Sequence, residues 1–137
     1  MQVINQVHPD PKTAEEFFTD EEDGPFVMVN LLKFKEKAEY PDGSDASLSG
    51  IEAYARYGAA VTKCIADVGA KSVYSGSVTG LMLGEIEENW DMVALVEYPS
   101  LEAFRNMVTS PEYQKITIHR TAGLAGQLNI KTKPNFS

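Results

Sequence analysis

The most pronounced pattern in the chain is PFVMVNLLKF at residues 25–34, a run of β-branched and aromatic residues bounded by Gly24-Pro25, which predicts a strand. Alternation puts Phe26, Met28, Asn30, Leu32 and Phe34 on one face and Val27, Val29, Leu31 and Lys33 on the other, so both faces are largely apolar. DMVALVEY at 91–98 has the same character, with Met92, Ala94 and Val96 on one side and Val93 and Leu95 on the other. Between these runs, Ile51, Tyr54, Ala55, Gly58, Val61, Ile65 and Val68 recur at helical period and predict a long helix, with Ser49 as its N-cap and Gly69 closing it. Residues 71–85 carry Val73, Tyr74, Val78, Leu81, Met82 and Leu83 among Ser, Thr and Gly, and predict a twisted strand bent or bulged at Gly76 or Gly80. Leu101, Phe104, Met107 and Val108 form the stripe of a further helix capped by Ser100, and Ser110-Pro111 restarts a helix that Gly123 ends. GQLNIKT at 126–132 supplies the last strand. A short helix at TAEEFF, with Thr13 and Glu16 as a capping box, precedes them all and stops in the acidic run at 20–23. The order β-α-β-β-α-β after a small N-terminal helix predicts an α+β fold of the ferredoxin-like type, with a four-stranded antiparallel sheet.

In this arrangement the helices cover one face of the sheet, and a monomer would need the other face to be polar. It is not: either Val27, Val29 and Leu31 or Phe26, Met28 and Leu32 would meet water, and one apolar set of the 91–98 strand with them. A patch of that extent marks an interface. Packing the bare face against its two-fold mate predicts a homodimer, a dimeric α/β barrel.

Composition narrows the function classes. The 137 residues are read as a single ferredoxin-like domain, 1–137, with 1–24 as an N-terminal helical extension. The lone Cys64 forms no internal disulfide and has no zinc-type or C-x-x-C spacing around it. The N-terminal MQVINQVHPDP lacks the regions of a signal peptide and no apolar run approaches the roughly 18 residues of a membrane span, so the whole chain is expected in the cytoplasm. A net charge of -8 with scattered Lys and Arg repels phosphate backbones and anionic lipid, which argues against nucleic acid and membrane as partners. The acidic run lacks the ligand alternation of a calcium loop, and no phosphate loop, nucleophile elbow or H-E-x-x-H occurs. No metal or cofactor is expected; a haem reading would rest on His119 alone.

Four segments together resemble the DUF1330 family, a domain of unknown function within the dimeric α/β barrel superfamily: PFVMVNLLKF at 25–34, SGIEAYARYG at 49–58, WDMVALVEYPSLEAF at 90–104 and SPEYQKITIHRTAGL at 110–124. The resemblance implies the fold and the dimer. It leaves the chemistry open, because the superfamily holds cofactor-free monooxygenases, isomerases, haem enzymes and non-enzymes.

Candidate site residues are the polar groups that the pattern turns inward. Asn30 puts an amide on an apolar strand face, where leaving it unpaired would cost about 1–3 kcal/mol, so it bonds either a neighbouring side chain or a ligand. Arg120 shares a helix face with Tyr113, Ile116, Thr117 and Leu124, and its guanidinium requires a carboxylate from Glu97, Asp91 or a bound anion. His119 lies at the edge of that stripe, either a helix-end residue or a group that moves a proton. Tyr54 falls in the buried stripe of its helix, as core or as a binding or proton-moving hydroxyl, while Arg56 points outward. Trp90 and Asp91 open the third strand, where Trp90 either caps the core or lines a site. The Gly, Ser and Asp-rich stretch 36–49 is expected to be a mobile loop that covers a pocket. Two functions fit. One is a cofactor-independent enzyme acting on a small organic acid or carbonyl compound between sheet and helices, with Arg120 on the anion, Asn30 on the reacting carbonyl and His119 or Tyr54 as the proton carrier. The other is a non-catalytic dimer that binds a small ligand or serves a structural role, with Arg120 satisfied internally. A core closed by Met28, Phe34 and Tyr113 would favour the second, and an open cavity beneath the loop the first.

Overall fold

The computed structural model describes residues 4–19 and 24–135; the acidic run read as the end of the first helix lies outside them. Its elements are α1 (Pro11–Phe18), β1 (Phe26–Phe34), α2 (Gly50–Asp67), β2 (Lys71–Ser77), β3 (Met92–Tyr98), α3 (Leu101–Val108), α4 (Pro111–Gly123) and β4 (Leu124–Thr132). The strands form one open antiparallel sheet in the order β2-β3-β1-β4, the ferredoxin-like α+β arrangement. The sheet of one chain does not close into a barrel.

Local chemistry explains most boundaries. Ser49 caps α2 through a complete capping box with Glu52, Ser100 and Ser110 accept from Ala103 and Tyr113 at the starts of α3 and α4, and Pro111 opens α4. Gly69, at φ +76°, turns the chain out of α2 in a conformation that L side chains resist. Two element boundaries need correction. The first helix begins at Pro11 with Asp10 as N-cap residue, and Thr13 bonds the Asp10 carboxylate (3.1 Å) instead of forming a capping box with Glu16. The second strand ends at Ser77 and shifts register at 72–74, so Leu81, Met82 and Leu83 belong to an irregular loop.

Register fixes the faces. Phe26, Met28, Asn30 and Leu32 stand opposite Tyr98, Val96, Ala94 and Met92, and this side carries the buried core of Phe26, Met28, Val61, Cys64, Val96, Tyr98, Leu101 and Met107. Phe17 and Phe18 of α1 pack on Phe104 at its edge (ring centroids 5.9 and 5.7 Å). The alternate positions Val27, Val29, Leu31, Val93, Leu95, Leu128 and Ile130 therefore face away from the core, with Tyr74 beside them.

Helix α2 is turned slightly from its expected stripe: Ile51 and Ala55 are exposed, and Gly50, Ala53, Val61 and Cys64 are buried. The cause is a close approach of three backbones. A Cβ at Gly50 would lie 2.7 Å from both the Lys35 amide nitrogen and the Gly123 carbonyl oxygen, and one at Gly123 would lie 2.9 Å from the Tyr54 amide nitrogen. We expect Gly50→Ala to destabilise the fold by about 2–3 kcal/mol despite the better helix propensity of Ala, because backbone cannot step aside. Chemical denaturation checks this; an unchanged midpoint would refute the contact.

Candidate functional site

The inward polar residues form one hydrogen-bonded relay across β1, β4 and α4. Asn30 donates through Nδ2 to the carbonyl of Ala94, directly opposite on β3 (3.0 Å), and more weakly to that of Met28 (3.4 Å). Its Oδ1 accepts from Nε2 of Gln127 (3.1 Å), and Oε1 of Gln127 accepts from Arg120 Nη2. Apart from tyrosines and Cys64, Gln127 is the only buried polar side chain among the described residues. It stands opposite Leu32, so its amide shares the face of Asn30, and β4 follows α4 without a connecting loop, which brings Arg120 and Gln127 together. Sequence reasoning missed Gln127; the alternation of Gln127, Asn129 and Lys131 with Leu128 and Ile130 was its only signal.

Tyr54, Tyr57 and Tyr113 of α2 and α4 form an aromatic group of their own. Tyr54 lies against Phe34 and Tyr57 (5.2 Å each), and the hydroxyls of Tyr57 and Tyr113 are 3.0 Å apart. Burial pushes the Tyr54 phenol up to about 12, with the positive charge of Arg120 pulling the other way, and burial holds Tyr57 well above the usual range. Both keep their protons at neutral pH. Guanidinium and two side-chain amides thus join in one relay without a carboxylate.

The carboxylates expected for Arg120 are elsewhere. Glu97 stands opposite Val27 on the far face of the sheet and meets Lys71 (3.7 Å). Asp91 accepts from the Phe34 amide (2.9 Å) and pairs with Lys33 (3.5 Å). Among the described residues no ion pair involves Arg120, although its side chain is half-buried. Trp90 is half-buried at the mouth of the 78–91 loop, with no described hydrogen bond or ring contact to Arg120.

His119 belongs to a second cluster. Its Nδ1 and the Tyr40 hydroxyl are 2.7 Å apart, and Tyr40 also accepts from Arg56 Nη1 (3.3 Å), which pairs with Asp45 (2.9 Å). Arg56 is exposed as its position indicated, yet it holds the 36–49 loop. The loop is docked rather than loose: Tyr40 and Ala38 are buried, Leu48 packs on them, and Glu39 donates to the Ala122 carbonyl (3.0 Å). Losing about 1–1.5 kcal/mol of hydrogen bonding in Tyr40→Phe should speed amide exchange at Gly43 and Leu48 about tenfold; no change would show that the phenol does not hold the loop.

Two surface hollows, of about 230 and 250 Å³, touch neither Asn30 nor Arg120. They lie at the far end of the sheet, about Glu97 and Ala70. Met28 is buried between sheet and helices with Tyr57 and Tyr113 packed against its cluster, whereas Phe34 lies outside it, against Tyr54.

The model of the domain of unknown function DUF1330 matches residues 45–131. The chain belongs to this family. A solved structure, a protein of unknown function from Rhodopseudomonas palustris, is 31% identical, with a TM-score of 0.88 over 98% of this chain and 100% of its own. Two more distant structures share the fold: a dimeric protein of unknown function and ferredoxin-like fold from Bacteroides fragilis NCTC 9343 (12% identity, TM-score 0.55, 81% of this chain and 97% of its own) and a dimeric ferredoxin-like protein of unknown function from Thermobifida fusca YX (17%, 0.54, 81% and 92%). Among curated proteins none matches the chain. No helix among the described residues is long and apolar enough to cross a membrane.

Proposed function

We propose that this DUF1330 chain acts as a homodimer that binds a small organic carboxylate at Arg120. The observation that carries the reading is the guanidinium itself: half-buried, bonded to a neutral amide and without a carboxylate partner among the described residues. A charge so placed leaves part of its desolvation cost unbalanced, and a bound anion supplies the balance. Gln127 and Asn30 hold the guanidinium in place.

The engagement of His119 with Tyr40, outside the Arg120 relay, supports binding over turnover. The dimer is supported by the bare apolar sheet face and by the dimeric description of the Bacteroides and Thermobifida proteins.

An NMR titration tests the anion site. Acetate, glycolate and benzoate should shift the Arg120 Nε–H and Gln127 side-chain amide signals, and acetamide should not. If carboxylates and acetamide act alike, or if neither signal moves, the reading fails.

A further inference from the structure

The 78–91 segment is long for a hairpin connection, and none of residues 79–89 is buried. Leu81, Met82, Leu83 and Ile86 are 49%, 102%, 85% and 38% exposed, a cluster of apolar side chains of a kind that water does not retain without purpose. Its base is fixed. Val78 N–H donates to the Asp91 carbonyl (2.9 Å), Asp91 N–H to the Leu32 carbonyl (2.8 Å) and Lys33 Nζ to the Asn89 carbonyl (3.1 Å). Lys33 stands on the bare face of the sheet, so the segment continues the surface assigned above to the dimer.

We infer that this segment is an arm that packs Leu81, Met82 and Leu83 against the second copy of the chain. The inference rests on the homodimer reading and specifies a contact beyond the sheet face. Charge argues against a lipid surface as the occupant: the arm carries Glu85, Glu87 and Glu88, no Lys or Arg occurs from 72 to 104, and the chain has a net charge of -8. A two-fold pair gives each arm an identical apolar surface on the other copy.

The test places a benzophenone-bearing residue at Met82 in the full chain and mixes it with isotopically heavy wild-type chain before irradiation. Cross-links across the isotopic boundary are expected. Shortening 80–87 to a Gly-Ser turn should weaken dimerisation at least tenfold by sedimentation. Cross-links confined to the labelled chain, no cross-link in a preparation that is dimeric by mass, or cross-linking only when phosphatidylglycerol vesicles are added would overturn the arm. The sheet-face reading fails separately, if Val29→Asp remains dimeric while Met82 still cross-links between copies.

Discussion

Val29→Asp should convert the protein from dimer to monomer at micromolar concentration. Val29 stands opposite Leu95 on β3 and Ile130 on β4, in the middle of the face that the helices leave bare. In one chain the new carboxylate meets water and costs little beyond about 1 kcal/mol of strand preference. Against a second apolar sheet it would be buried without a partner, at a cost of several kcal/mol, which raises the dissociation constant about a hundredfold or more. Leu31→Asp, opposite Val93 and Leu128, should act alike. Ile130→Asp is the safeguard against misfolding, since Ile130 is 44% exposed on an edge strand. Folded dimers of unchanged mass for all three variants would place the interface elsewhere.

Arg120→Met should abolish carboxylate binding while leaving the fold nearly intact. The loss of a charge-assisted contact to the ligand corresponds to an affinity drop of about tenfold to a hundredfold. Stability responds differently because no carboxylate is stranded: Glu97 and Asp91 keep their lysines, and only Oε1 of Gln127 loses a donor. The cost is about 1–2 kcal/mol, partly offset by removing a half-buried charge, rather than the 3–5 kcal/mol of a broken buried ion pair. Calorimetric titration with acetate and benzoate, paired with thermal denaturation, separates the two. A large fall in melting temperature would mark Arg120 as structural, and unchanged affinity would remove it from the site.

The fold was legible where local chemistry dictates it. Ser49, Ser100 and Ser110-Pro111 announce helix starts because their side chains satisfy backbone donors nearby in sequence. Strand parity separated Phe26, Met28 and Asn30 from Val27, Val29 and Leu31, and the 3.6-residue period turned Arg120 inward. What no periodicity carries is register. Which sheet face takes the helices was open in the sequence, and with it the exclusion of Glu97, which follows Val93 and Leu95 to the bare face. Gln127 became a partner of Asn30 only through the β1–β4 pairing, 97 residues apart along the chain, and His119 met Tyr40 only through the docking of a loop. Leu81, Met82 and Leu83 looked like strand because apolar content alone does not separate a strand from an exposed apolar arm.

Native mass spectrometry of the wild-type protein with acetate and benzoate tests the central claim most directly, because one spectrum reads both assembly and ligand. The account predicts a species of twice the 15.1 kDa chain mass that carries carboxylate adducts lost in Arg120→Met. A species at the single-chain mass, or adducts of equal abundance in the variant, would contradict it.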